Sequence, residues 1–483
     1  MANFPFELVV DSMQPHERTV SVRCVSCLRS VKGRRKVYDA IWDGRPVVAK
    51  VFDRRFASGR HVRKEWNGLR ELQQRGLDAP KPLLRGRTKD GRSAILLEKL
   101  LQTSTLLDVL NEASDAEAKL KLLILFTRVL AEQHRQGVVQ EDLHLGNFLY
   151  DGQTIYAIDP WRMRFLSGEL DRDRSISYLA LFVRYLPSHD SDSMVDICRE
   201  YFRARGWKME QADRQLFERK LVFHQKRTVK KSLRKCLRTS KRYIRMEAGE
   251  FKGIFAKSFC EGGGAEDFMS RIDDLMDAGE IFKKGNTCYV SRVRWNNQDV
   301  VIKRYNHKGL FHSLRHSFVR SRACQGWLHG HHLEMLQIAT PRPVACVEQY
   351  RGRILWQSNL ITEYVAGRKL YSYMSDSSTT KEQGQAAIEE VMHLLDDLDR
   401  YRISHGDLKH TNILLTENGP VLMDLDGMRF HRLGWTYKRR RAKDMAHFAG
   451  GGRGSYDIAD VIGHTSLDIE HLSDSKRQPI APP

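Results

Sequence analysis

No stretch of this 483-residue chain approaches the ~18–20 uninterrupted apolar residues that a membrane-crossing helix requires. The richest run, Leu120–Ala131, is broken by Lys121 and Arg128 and predicts a buried helix instead. The opening residues, MANFPFELVVDSMQ, contain acids and lack a long apolar core, so a signal peptide is not expected. Cysteine is sparse and scattered: eight residues, of which Cys24 and Cys27 form a lone CxxC in a strand-like context with no second pair nearby. That spacing argues for free thiols rather than a zinc or redox site, and for a reduced, cytoplasmic setting. Acid is also short. Against 80 basic residues stand 60 acidic ones, a net charge of +20, which favours a polyanionic partner: nucleic acid, an anionic membrane face or a phosphorylated substrate. No groove-reading motif is present, so nucleic acid is not expected.

What remains is an ordinary globular composition, 41% hydrophobic and 29% charged. Its length is too great for one core and comfortable for two domains of roughly 200–250 residues. One pattern organises the chain. In Ile403–Phe430, Asp407 is followed by Asn412, an apolar run, and Asp424 at the end of the next apolar run. In Val138–Phe165, Asp142, Asn147 and Asp159 stand at the same spacing, and all three pairs are related by one constant offset of 265 residues. The trailing Met-Arg-Phe recurs as well, at 163–165 and 428–430. An Asp, an Asn five residues on and a second Asp after an apolar run is the layout of a phosphotransferase loop. The first Asp would take the proton of an acceptor hydroxyl. The Asn and the second Asp are hard oxygen ligands suited to Mg²⁺.

Upstream of each loop lies a strand ending in lysine. Residues 7–51 read as strands, passing through the turn Asp43-Gly44 to Arg45–Lys50. In the second half, Tyr289–Trp295 and Asp299–Lys303 form a hairpin with Asn296-Asn297 in the turn. Lys50 and Lys303 are the candidates for binding ATP phosphates. The hairpin before Lys50 has one glycine, Gly33, where a G-x-G-x-x-G loop would have three, and Arg34, Arg35 and Lys36 add charge there. A helix predicted from about Gly59 to Gln74 carries Glu65 as the expected partner of Lys50, with Glu71 as the alternative. In the second half Gly326-Trp327 stands where Glu65-Trp66 stands in the first, and Glu334 is out of register, which leaves the partner of Lys303 open. Ala94–Glu98 and Leu360–Glu363 read as strands leading to hinges whose backbone would meet adenine. Glu389–Tyr401 reads as an amphipathic helix.

The segment from Arg219 to Arg245 has no acid, and Leu233 and Leu237 lie four apart within it. It is either a helix that meets anionic lipid or substrate, or a solvated basic helix closing the first domain. The division expected is 1–250, 251–450, and a loosely ordered tail 451–483, with the Gly-rich Glu261–Gly264 near the boundary.

The segments GRRKVYDAIWDGRPVVAKVF, RKEWNGLRELQQRGLDAPKP, QEDLHLGNFLY and KKSLRKCLRTS resemble the bacterial lipopolysaccharide core heptose kinases. So do VVIKRYN, SRACQGWLHGHHLEMLQIATPRP and SHGDLKHTNILL. The resemblance covers most of residues 20–450 and implies an α+β chain of two tandem protein-kinase-like folds, each with a small β-rich N-lobe and a mostly helical C-lobe. It implies ATP and Mg²⁺ as cofactors. The acceptor would be a sugar, heptose first, of the lipopolysaccharide core or its lipid-linked precursor, met by a peripheral protein at the cytoplasmic, anionic face of the inner membrane. By matching positions, Lys50, Glu65, Glu98, Lys303, Glu363 and Lys409 would serve the nucleotide. Asp142 and Asp407 would be catalytic, and Asn147, Asp159, Asn412 and Asp424 would hold metal. His144 stands in the first copy where Lys409 stands in the second, and Gln140 replaces His405. A protein or small-molecule kinase, and a scaffold containing pseudokinases, are the alternatives.

Overall fold

The computed structural model describes residues 4–14, 19–31, 33–53, 58–184, 191–261, 263–306 and 320–450. The tail after 450, Lys32 of the first hairpin and Gly262 lie outside them.

Alternating apolar residues make the first elements strands: β1 (Phe6–Ser12), β2 (Thr19–Val31), β3 (Arg35–Trp42) and β4 (Arg45–Phe52). The turn between β3 and β4 has positive φ at both Asp43 and Gly44, the primed geometry that matches strand twist. After α1 (Ser58–Gln74) come β5 (Pro82–Thr88) and β6 (Ser93–Glu98). The six strands close into a barrel in the order β1-β2-β3-β4-β6-β5. Its interior is Val10, Val22, Ala40, Val47, Ala49, Leu84, Ala94 and Leu96. The strands within 7–51 and at 94–98 were legible; β5, and the closure it makes with β1 as Val10↔Thr88, were not.

Helices follow. The apolar run becomes α2 (Ala116–Arg135), capped by Asp115, with Leu123, Phe126, Leu130 and Ala131 buried. Short strands β7 (Val138–Gln140), β8 (Phe148–Tyr150), β9 (Ile155–Ala157) and β10 (Met163–Phe165) carry the conserved-spacing loop. Then come α3 (Arg172–Val183), α4 (Ser191–Ala204) and α5 (Gln211–Leu233). Phe126, Phe148, Phe182 and Tyr201 are the centre of this second core.

The second half repeats the order. β11 (Tyr243–Ala248), β12 (Phe251–Ala256), β13 (Glu280–Lys284), β14 (Cys288–Trp295), β15 (Gln298–Asn306), β16 (Pro343–Arg351) and β17 (Ile354–Glu363) form one open antiparallel sheet, in the order β11-β12-β16-β17-β15-β14-β13. α6 (Arg322–Met335) lies against β16 and β17. α7 (Lys381–Tyr401) opens with a Thr380/Gln383 capping box, eight residues before the predicted start. β18 (Ile403–Ser404), β19 (Ile413–Thr416), β20 (Gly419–Leu422), β21 (Arg429–Phe430) and α8 (Gly434–Gly450) complete it.

The chain divides into two compact units between His224 and Gln225, inside α5. This is earlier than residue 250, because β11 pairs with β12 and Trp327 Nε1 donates to the Cys236 carbonyl at 3.0 Å. The basic segment thus opens the second unit. Leu233 ends its helix, and both Leu233 and Leu237 pack against Tyr243, Tyr305 and Trp327 instead of forming an outward apolar face. All eight cysteines are free.

Candidate functional site

In the first unit, β4 is hydrogen-bonded on both sides, with Val37↔Lys50 and Lys50↔Ile95 in register. Val62, Trp66 and Leu69 of α1 pack on Phe52, Ile95 and Leu97, and this seat turns Glu65 toward the lysine. Lys50 Nζ lies 2.5 Å from Glu65 Oε1 and 2.6 Å from Asp159 Oδ1. Arg35 donates to Asp159 Oδ2 at 2.5 Å and lies 3.4 Å from Glu65 Oε2. Glu71, the alternative partner, pairs with Arg75 at 2.7 Å. Burial alone would push the Lys50 ammonium down, but the Glu65 and Asp159 carboxylates outweigh it and hold it above its ordinary value. Burial would raise Asp159, yet Lys50 and Arg35 keep its carboxyl well below the usual range. Both groups are therefore charged at neutral pH, in a buried network of two cations and two carboxylates.

The central contacts of the loop are duplicated. Ile158 N–H donates to the Asn147 carbonyl at 2.9 Å, and Met423 N–H to the Asn412 carbonyl at 2.8 Å. This ladder bond brings each Asn next to the strand end that carries the second Asp. The two aspartates share a left-handed backbone, φ 58° at Asp159 and 55° at Asp424, a conformation costing a non-glycine residue about 1–3 kcal/mol. Each Asn also donates its side-chain amide to the carbonyl of the first Asp, Asn147 to Asp142 at 3.2 Å and Asn412 to Asp407 at 2.9 Å. The Asp142 carboxylate pairs with Arg162 at 2.8 Å, and Asp407 with Lys409 at 2.7 Å. The Lys409 hydrogen bond, then its charge and Asn412, lower the Asp407 carboxyl. His144 Nδ1 accepts from the Gly146 amide at 3.0 Å.

The second unit answers the question the sequence left open. Lys303 Nζ lies 2.5 Å from Asp424 and 3.0 Å from Asp426. Asp426 also accepts from Tyr305 Oη at 2.5 Å and from Arg322 at 2.6 Å. Burial would raise this carboxyl, but Lys303, Tyr305 and Arg322 hold it low. The helix position holds Gly326, which offers no side chain, and a Cβ there would stand 2.6 Å from Leu360 Cδ2. Glu334 is engaged elsewhere, with His331 at 2.7 Å and Arg342 at 3.6 Å.

The loops are anchored differently. Asp444 of α8 is buried and accepts from the amides of His405 at 2.7 Å and Gly406 at 2.8 Å, while His405 Nε2 donates to the Met423 carbonyl at 2.9 Å. Gly406 has φ 87° and packs on Gly427 so closely that a Cβ would meet its carbonyl at 2.5 Å. At the constant offset the first unit has Gln140, Glu141 and Leu179 instead. Gln140 is buried with its amide nitrogen unpartnered.

The hinge candidates also match. Glu98 N–H donates to the Lys81 carbonyl and Glu363 N–H to the Arg342 carbonyl, both at 2.9 Å. Both amides are thus engaged within the fold. Arg35, Asp426 and Asp444 are the contributors that the motif search did not single out. Arg35 was legible only as loop charge, and Asp426 as the second acid of Asp-Leu-Asp-Gly. Asp444 had no local signal.

The chain matches the lipopolysaccharide kinase (Kdo/WaaP) family over residues 36–165 and 276–450, together more than half its length. It is also similar to a probable serine/threonine-protein kinase KIN1 homolog of Encephalitozoon cuniculi (strain GB-M1), with 39% identity over 74 residues. That match spans 15% of this chain and 13% of the relative.

Proposed function

Because the chain belongs to the lipopolysaccharide kinase (Kdo/WaaP) family, we propose that it transfers the γ-phosphate of ATP to a hydroxyl of a lipopolysaccharide core sugar, heptose first, in outer-membrane biogenesis. Family membership gives a kinase of lipopolysaccharide biosynthesis. The sugar, and the reading of the two units as tandem kinase-like folds with β-rich and helical lobes, are our own.

One observation carries it: in both units a strand lysine meets the second aspartate of the loop, Lys50–Asp159 at 2.6 Å and Lys303–Asp424 at 2.5 Å. Residues more than 100 positions apart converge twice on the same pairing, at a strained backbone position. The donor set fits Mg-ATP. Asn147 with Asp159, and Asn412 with Asp424, offer the hard oxygens that Mg²⁺ takes, and Lys50, Arg35 and Lys303 offer phosphate donors. Bound there, Mg²⁺ would neutralise charge on the phosphates. The residues of the chain do the rest. Lys50 and Lys303 fix the phosphates, Glu65 and Asp426 fix the lysines, and Asp142 and Asp407 orient the acceptor hydroxyl and take its proton.

We further place the protein on the cytoplasmic face of the inner membrane. Among the described residues no helix is long and apolar enough to cross a bilayer. Arg219, Arg227, Lys230, Lys231, Arg234 and Arg238 are exposed along one segment, which supports attraction to anionic lipid.

The test is transfer of labelled γ-phosphate to dephosphorylated core lipopolysaccharide by wild type, Asp142→Ala, Asp407→Ala and the double variant. We expect each single variant to remove part of the label and the double variant to remove all of it. Label entering protein or small-molecule acceptors in place of the core would replace the sugar acceptor. Full complementation of a null strain by the double variant would turn the reading to a scaffold.

A further inference from the structure

α1 presents a second face, away from Glu65. Arg60, Arg63, Lys64, Asn67 and Glu71 recur at helical spacing and line a cleft of about 440 Å³. Its opposite wall is Pro160, Trp161, Met163 and Phe165, the segment that follows Asp159. Gly68 lets the helix come this close, since a Cβ there would stand 2.8 Å from Pro160 Cβ. Glu71 is neutralised by Arg75 at 2.7 Å. Arg60, Arg63 and Lys64 are exposed, and none has an ion-pair or hydrogen-bond partner among the described residues. Three like charges on adjacent turns destabilise a helix by roughly 0.2–0.5 kcal/mol per pair, so the fold does not ask for them.

The duplication supplies an internal control. With Trp66 aligned on Trp327, the three cationic positions become Ser321, Cys324 and Gln325. Glu71 becomes His332, whose ring lies flat on Phe430 at 3.7 Å, and Gly68 becomes His329, bonded to the Leu425 carbonyl at 3.1 Å. The second unit fills the space with neutral rings, whereas the first leaves it open and basic. The same architecture therefore does not need these charges, which stand exposed and available to an anion.

We propose that this cleft binds a phosphate group, carried by a phosphomonoester or as the free anion. The anion would lie between α1, which carries Glu65, and the segment that carries Asp159, and so would hold together the two elements that meet at Lys50. The link continues outward: the Arg162 guanidinium covers the Trp161 ring at 4.4 Å and pairs with Asp142 at 2.8 Å. Two sources carry this chemistry, a phosphorylated sugar and free phosphate. The apolar wall of Trp161, Met163 and Phe165 favours a sugar phosphate, and this preference rests on the proposed acceptor.

The experiment is calorimetric titration of the full chain with inorganic phosphate and, separately, with a hexose 6-phosphate. Wild type is compared with Arg60→Gln/Arg63→Gln/Lys64→Gln and with Arg87→Gln/Lys89→Gln, exposed cations outside the cleft. We expect the triple variant to bind both probes at least tenfold more weakly than wild type, and Arg87→Gln/Lys89→Gln to retain them. Tighter binding of the hexose phosphate assigns the sugar source, and equal or tighter binding of phosphate the free anion. Unchanged titration of the triple variant, or equal loss in Arg87→Gln/Lys89→Gln, overturns the site. No turnover is measured, so failure of core labelling would leave this result standing.

Discussion

In the first unit the strand lysine takes its buried carboxylate from a helix, Glu65 on α1; in the second it takes Asp426, two residues beyond Asp424, and the helix offers only Gly326. At the helix position the second unit has glycine, and a side chain there would have to displace the Leu360 side chain, whose Cδ2 would stand 2.6 Å from the new Cβ. The lysine nevertheless needs a carboxylate, because an unpaired buried ammonium is costly. The electrostatic requirement is thus conserved within the chain while its location is not. The consequences differ. Lys50 ties α1 to the Asp159 segment, so its alignment depends on helix docking. Lys303 takes both acids from one segment, and α6 reaches Asp426 through Arg322.

The largest effect should come from the loop anchor that only one unit has. Asp444→Ala strips the acceptor from two buried amides, each costing about 1–3 kcal/mol when left unsatisfied. We expect the melting transition of the second unit to fall by the equivalent of roughly 2–6 kcal/mol, with loss of the Asp407-dependent label. A melt that does not move would erase the difference drawn between the two loops.

Next come the lysine partners. Glu65→Gln breaks a pair in which the acid is 1% exposed, and should cost roughly 3–5 kcal/mol. Asp426→Asn should cost less, about 1–2 kcal/mol, since its side chain is 18% exposed and Lys303 keeps Asp424. Chemical denaturation measures both. The comparison sharpens with a transplant: adding Gly326→Glu to Asp426→Asn should not restore nucleotide binding, because Leu360 occupies the space. Restoration would show that Leu360 gives way to a side chain there.

These contrasts also mark what the sequence could and could not tell. The loop triplets, the strand lysines and the pairing of Lys50 with Glu65 rest on local spacing and on one helical register, and both are readable. The β3–β4 and β14–β15 turns were visible for the same reason, since Asp43-Gly44 and Asn296-Asn297 tolerate positive φ. Barrel closure by β1 on β5 was not visible, because it joins residues about 80 positions apart with no pattern of its own. Asp444 was hidden likewise: an acid on a mostly basic helix reads as surface until the amides it caps are in place. The basic segment left two readings open for a different reason. Its spacing could not say where the leucines point; the helix stops at Leu233, and Leu233 and Leu237 pack inward while most of the basic side chains stay exposed.

The smallest effect concerns protons. His332 of the second unit is pushed down to about 3 by burial, then by His329 and Lys226, and is neutral where it stacks on Phe430. Its folded pKa lies below the ordinary ~6.5, so its contribution is fully present above that pH. It is lost progressively as pH falls toward 3, because the unfolded chain binds the proton first. The slope is at most about 1.4 kcal/mol per pH unit, and the loss reaches roughly 1.4 kcal/mol by pH 5.5. His332→Phe keeps an aromatic ring on Phe430 and removes the titration. We expect the second transition to lose less stability between pH 7.5 and 5.5 in this variant than in wild type, with the first unit unchanged. Cleft residues of the first unit replaced at the same position, as in Glu71→His, should not acquire this dependence. The open cleft leaves the new ring hydrated, and a hydrated imidazole titrates alike in the folded and unfolded chain. A matching pH dependence there would mean that the first cleft closes as the second does, and the contrast on which the phosphate site rests would be lost.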